Sequence, residues 1–237
     1  PYMQRTEMKI DYWGFLFLVM GFGCLQIVLD KGQREDWSSS SFITWLSFIS
    51  ISSLILFIIV EFFAENPILN LGTFKNRSFS SGNILMFFTF FNLFSSLVLL
   101  PIYLQTLMGY TSFLSGLVLS PGGVASMIAM LIAGKLVTKI NPKAILAFGL
   151  GVAAYAIHLM SQFNLLADFN TIIWPRVVMG AGIGFLFIPL TTLTLSSIRK
   201  EEMGNATAIF NLLRNLGGSF GVAIATTLLA RKAQFHQ

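Results

Sequence analysis

Arg214 is the residue of this chain whose position most needs a chemical explanation. It lies in Ala206–Ala230, an apolar run of 25 residues with no other charge. At 1.5 Å per residue such a run crosses the ~30 Å hydrocarbon core of a bilayer, which puts Arg214 roughly 12 Å deep. A guanidinium at that depth costs ~2.5–3.5 kcal/mol on insertion scales, so it must face protein or water. Thr207, Asn211, Arg214, Asn215 and Gly218 recur at three- and four-residue spacing and form one helical stripe. Gly217 and Gly221 make a GxxxG pattern that admits a neighbouring backbone. Two readings are open: a polar wall of a translocation pathway, or a structural arginine tied to carbonyls of the next helix. Because Asn211 and Asn215 share the stripe, the pathway is the preferred one.

Other candidates lie along the chain. Asn92, Ser95, Ser96, Leu99 and Tyr103 share a stripe beside five phenylalanines between Phe87 and Phe94. They would form either an aromatic and polar wall for an apolar or cationic ligand, or a helix whose phenylalanines face lipid. Arg176 is a buried-charge candidate that either snorkels to the interface or turns inward. Ser120-Pro121-Gly122-Gly123 predicts a bend, since proline removes a backbone donor and glycine relaxes the chain. Lys135, Lys139 and Lys143 mark a basic turn. Glu61, two residues from the end of its run, reads as an interfacial carboxylate, and His158, alone in its run, as a packed neutral side chain. Gly180, Gly182 and Gly184 follow no strand, so they read as helix packing rather than a nucleotide loop. No serine–histidine–acid set, metal-ligand cluster or phosphate loop appears, and no cofactor is implied. No Asp or Glu lies near the middle of any run.

The elements that must position these residues are membrane helices. Hydrophobic residues make up 55% of the 237 and charged residues 11%, against ~25% charged in a soluble domain. Seven apolar runs, Tyr12–Leu29, Phe42–Phe63, Phe79–Met108, Phe113–Val137, Ala144–Phe163, Ile172–Ile198 and Ala206–Ala230, are near or above spanning length. Only helices satisfy their own backbone in lipid, so the fold class is all-α integral membrane with seven transmembrane helices. The 30 residues of Phe79–Met108 must tilt, kink or project, and Pro101 is a place for a kink. Between the first two runs a polar loop begins at Leu25, with Trp37 as interface anchor, and Asn66-Pro67 reads as a helix start on the membrane surface. Arg5, Lys9, Lys75, Arg77, Lys135, Lys139, Lys143, Arg199 and Lys200 fall on one side, against Lys31, Arg34, Arg231 and Lys232. Nine against four puts residue 1 in the cytoplasm and residue 237 outside. The net charge of +5 therefore flanks helices rather than binding nucleic acid. The lone Cys24 makes no internal disulfide. The expected organisation is a cytoplasmic segment 1–11, an accessory helix pair 12–63, a cytoplasmic connector 64–78, a five-helix bundle 79–230 and an external tail 231–237.

Four stretches together resemble one family. LQIVLDKGQREDW at 25–37, LPIYLQTLMGYTSFLSGLVLSPGG at 100–123, RVVMGAGIGFLFIP at 176–189 and NLLRNLGGSFG at 211–221 are similar to the fourteen-helix drug:proton antiporters, EmrB/QacA type, of the major facilitator superfamily. The resemblance covers the chain from about Asp11 to Ala230. It implies a partial major facilitator fold: two central accessory helices, then the C-terminal half without its last helix, built of inverted three-helix repeats. The fourth and seventh helices would be equivalent. The run Gly134–Lys143 resembles the superfamily's basic loop motif, but Thr138 stands where the family usually has aspartate. The family's coupling carboxylate and arginine belong to an N-terminal half with no counterpart in these residues. The implied function is multidrug export by proton antiport across a bacterial inner membrane, with small hydrophobic or cationic substrates, the lipid bilayer and the missing half as partners. On this reading the 237 residues alone do not transport.

Two other classes compete. One is a seven-helix receptor or light-driven protein; a retinal-type pump needs a lysine in its seventh helix, where this run has Arg214 and no lysine, and an absorbance scan for a bound chromophore decides. A membrane enzyme lacks its constellation here, and turnover without an ion gradient would reveal one.

Overall fold

The computed structural model describes residues 11–33, 35–63, 69–164 and 167–235. The expectations for Arg5, Lys9, Arg34, Asn66 and Pro67 lie outside them. Seven helices follow one another: α1 (Tyr12–Lys31), α2 (Ser41–Phe63), α3 (Arg77–Ile102), α4 (Ser112–Leu136), α5 (Pro142–Ser161), α6 (Phe169–Leu195) and α7 (Met203–Phe235). All seven are long and apolar enough to cross a membrane. No strand occurs among the described residues.

Short polar side chains start these helices by accepting the unpaired first-turn amides. Asp11 Oδ1 accepts from Gly14 N at 3.0 Å. Asn76 Oδ1 accepts from Ser78 N at 2.9 Å, and Thr111 Oγ1 from Leu114 N at 3.3 Å. Asn141 Oδ1 accepts from Lys143 N at 3.0 Å, and Pro142, which has no amide to satisfy, fills the next position. Lys135, Lys139 and Lys143 are exposed around this α4–α5 turn.

Two boundaries differ from the sequence reading. The loop expected from Leu25 begins later, because α1 runs to Lys31 and ends on Gly32, whose N–H bonds Val28 O at 2.8 Å. Gln26 and Asp30 are therefore helical. The long third run resolves itself by widening: after Pro101 the helix passes at Tyr103 into a π turn, Tyr103–Leu107, with Met108 N bonded to Tyr103 O. A proline without an N–H and a wider turn shift the last part of the run off the α register.

Helix α6 is the hub, the most buried of the seven. It packs most extensively on α4 and α5, while α3 packs most extensively on α7. Glycine makes the close contact in all three pairs. A Cβ on Gly180 would strike the Gly122 carbonyl of α4, and one on Gly184 would lie 2.6 Å from the Ala129 Cβ. Gly182 points the other way, 2.7 Å from Ala153 N of α5 in the same sense. On α7, Gly217 and Gly221 sit against the Phe87 and Phe91 carbonyls of α3. Helix α4 is a single α-helix through Pro121, Gly122 and Gly123. Gly122 is buried at the crossing with α6, whereas Gly123 has nothing within 4 Å of where a Cβ would stand.

The pair α1–α2 is joined by Ser50 Oγ donating to Gly21 O at 2.8 Å, with Leu54 over Gly21. It reaches the bundle through α7, where Ser219 Oγ donates to Gln26 Oε1 at 2.7 Å. Glu61 departs from its expected place. It is only 6% exposed, and its Oε1 accepts the Leu69 amide from the connector. Leu69 thus lies against the end of α2, and the carboxylate is buried rather than exposed. His158 departs as well: it is exposed on α5 and bonded to Gln162 at 3.2 Å rather than packed.

Candidate functional site

The polar candidates gather on two sides of α3. On the first side, Arg176 of α6 turns inward and is 5% exposed. Its Nη1 donates to Ser96 Oγ at 3.1 Å, and its stem lies in the notch left by Gly122. Glycine is needed there because a Cβ would come within 3.0 Å of Arg176 Cγ and 2.8 Å of its carbonyl. Arg176 Nε is buried without a partner. One turn before Ser96, Asn92 lines a cavity of about 210 Å³ with Thr89, Ala153, Met179 and Ile183. Tyr103 closes this side toward the α5–α6 loop, its hydroxyl donating to Asn164 O at 2.7 Å and its ring stacked on Phe163.

On the second side, Arg214 of α7 places its guanidinium over the Phe90 ring, 5.4 Å from the centroid. It is half-buried and makes no ion pair among the described residues. The ring's negative face is what an otherwise unpaired cation can use in an apolar bundle. Phe90 is held in turn by Phe94 and by Phe187 of α6. Asn211 is half-buried one turn before Arg214. Asn215 opens into a groove of about 460 Å³ shared with Gln26 and Asp30 of α1, Phe94 of α3, and Gly218 and Ser219 of α7. Gln26 Nε2 lies 3.3 Å from Asp30 Oδ2, so amide and carboxylate form one polar edge.

The stripes on α3 and α7 therefore do not merge into one wall. Asn92, Ser96 and Tyr103 join Arg176 toward α5 and α6. Arg214 joins Phe90, which also packs on Phe187 of α6, while Asn215 joins Phe94 in the groove shared with α1. Gln26 and Asp30 belong to the second group and were not among the sequence candidates. Their signal was an amide and an acid four residues apart inside an apolar segment, which is one helical face once α1 extends that far.

Neither side holds a nucleophile beside a base. Among the described residues no group of three or more His, Cys, Asp or Glu could hold a metal ion. What the two sides offer is hydrogen bonding, one carboxylate, aromatic faces and two guanidinium groups on apolar helices. That suits holding a passing solute rather than bond breaking.

Comparison with known proteins gives the same direction. The Major Facilitator Superfamily profile matches residues 12–222. The chain is 34% identical over 234 residues to the multidrug export protein EmrB of Escherichia coli K12, covering 98% of this chain and 46% of that protein. It is 33% identical over 226 residues to the fatty acid resistance protein FarB of Neisseria gonorrhoeae, covering 95% and 45%. It is 30% identical over 225 residues to the lincomycin resistance protein LmrB of Listeria monocytogenes, covering 95% and 48%. The chain thus spans about half the length of the curated relatives it matches.

Proposed function

The chain belongs to the major facilitator superfamily, a family of transporters rather than enzymes, and from that premise we propose that it is one working half of a proton-driven drug exporter. It is a multi-pass protein of the bacterial inner membrane with a partial major facilitator fold. In the proposed unit the five-helix bundle α3–α7 faces a second bundle, and a midplane site opens alternately to the two sides. The basic end, with Lys135, Lys139, Lys143, Arg199 and Lys200, lies in the cytoplasm. Small hydrophobic or cationic solutes are the substrates, and protons return in exchange.

The observation that carries the reading is the Arg214 side of α3. A guanidinium at bilayer depth rests on an aromatic face, beside a groove with an acid, two amides and Phe94. An apolar cation finds there a carboxylate, Asp30, and a ring, Phe94, at modest desolvation cost. The polar edge is shared between α1 and α7, which gives the accessory pair a part in the site. The test is tolerance. Expression of the protein carrying this chain, in a bacterium stripped of its own exporters, is expected to raise the inhibitory concentration of lipophilic cationic dyes and lower their accumulation. Unchanged tolerance and accumulation across such a panel, with the protein present in the membrane, would rule the reading out.

A further inference from the structure

The base of the accessory pair holds two acids that the transport reading does not use. Asp11 caps α1 and Glu61 closes α2, so the antiparallel pair brings both to the same end. Each carboxylate spends one oxygen on a backbone amide. Asp11 Oδ1 accepts from Gly14 N and Glu61 Oε1 from Leu69 N. The remaining oxygens, Asp11 Oδ2 and Glu61 Oε2, are both buried and neither has a hydrogen-bond partner. Glu61 itself is 94% buried, being 6% exposed. The two free oxygens border one notch, made by Gly14. A Cβ there would strike Asp11 Oδ2 and stand 3.4 Å from Glu61 Oε2.

Among the described residues no countercharge meets either free oxygen. The ion pair found among the described residues, Arg199–Glu202, is elsewhere. Leu69, which shares the Glu61 carboxylate, packs into an apolar cluster with Phe57, Phe79, Ala206 and Ile209. Among the described residues the groups facing the notch are Asp11 from α1, Glu61 from α2 and the Leu69 amide from the connector. Two ionised carboxylates facing each other in an apolar, uncompensated notch repel and lose their hydration together. One proton removes both problems, because a neutral carboxyl donates to the free oxygen of its neighbour.

We propose that Asp11 and Glu61 together bind a single proton, held between Asp11 Oδ2 and Glu61 Oε2 across Gly14. The proton closes the base of the α1–α2 pair. Through the Leu69 amide it also fixes the connector onto the pair, and Leu69 carries that link into the cluster formed with α3 and α7. The site is separate from the Arg214 and Arg176 sides and does not depend on what the protein transports.

Infrared spectroscopy of the chain in lipid bilayers at neutral pH tests it. The expected result is a carbonyl stretch of a neutral carboxylic acid that is lost in Glu61→Gln. It is expected to be lost in Asp11→Asn as well, because the new amide donates to Glu61 and takes the proton's place. Both substitutions keep the acceptor for the backbone amide, so the helix pair remains formed. No neutral-acid band in the unmodified chain overturns the proposal. So does a band that survives in either variant, or one that appears only after sodium and divalent cations are removed, which would make the notch a cation site. Carbodiimide labelling of the unmodified chain needs no variant. An N-acylurea at Glu61 or Asp11 supports the shared proton, and the absence of label at both contradicts it.

Discussion

Gly180→Leu is expected to abolish recovery of folded protein, whereas Gly151→Leu is expected to be tolerated. Gly180 lies where α6 meets α4, and any Cβ there runs into the Gly122 carbonyl. The obstacle is backbone, so no rotamer change relieves it, and the two helices must separate along their whole crossing. Overpacking of a closed contact costs ~3 kcal/mol or more when the neighbour cannot yield. Here the crossing also carries Gly184 over Ser126 and Ala129, and Arg176 in the Gly122 notch, so all three contacts open together. Gly151 is exposed with nothing within 4 Å of its Cβ direction, so a leucine there meets lipid. The check is the monodisperse fraction of detergent-extracted protein on size exclusion. Equal monodisperse recovery of the two variants would show that the α4–α6 crossing is not the contact described.

Arg214→Ala is expected to reduce dye export ~10-fold or more while leaving membrane expression at or above that of the parent. The two halves of that statement have different causes. Replacing a mid-helix arginine by alanine removes an insertion cost of ~2.5–3.5 kcal/mol, so assembly does not suffer. The guanidinium over Phe90 is a half-buried cation–π pair, of the kind worth ~1–2 kcal/mol, and it orders the ring beside Phe94 and the Asn215 groove. At ~1.4 kcal/mol per factor of ten, losing that order is enough for the stated effect. Arg214→Lys is expected to fall between, since an ammonium is charged but stacks poorly on an aromatic face. Export from intact cells, normalised to protein in the membrane, decides the point. A parallel loss of export and expression would make Arg214 a structural residue.

Much of the fold was legible because lipid leaves the sequence few choices. Seven apolar runs of spanning length announced seven helices, and the structure begins four of them on a side chain that accepts a first-turn amide, Asp11, Asn76, Thr111 and Asn141. The glycines of α6 and α7 announced close packing, and the structure places them against α4, α5 and α3. What the stripe rule cannot supply is the neighbour. Asn92 and Ser96 were grouped on one helical stripe, yet nothing in their spacing says that Arg176 arrives at Ser96 from 80 residues away. Arg214 and Asn215 were grouped in the same way, but the helix they face is fixed by Gly217 and Gly221 seating on Phe87 and Phe91. The Gln26–Ser219 bond joins residues 193 apart, and with it the groove that includes α1. Glu61 was misplaced for a local reason: its partner is a backbone amide eight residues on, which no side-chain pattern reveals. The π turn after Pro101 was foreseen only as some relief of an over-long run.

The central claim is that this bundle works in proton-driven drug export. Its most direct test is accumulation of a lipophilic cationic dye by inside-out membrane vesicles holding the protein that carries this chain, energised by an imposed pH gradient. The account predicts uptake that follows the gradient, collapses when a protonophore dissipates it, and is largely lost in Arg214→Ala. Uptake that persists after the gradient is gone, or that Arg214→Ala leaves unchanged, would contradict it.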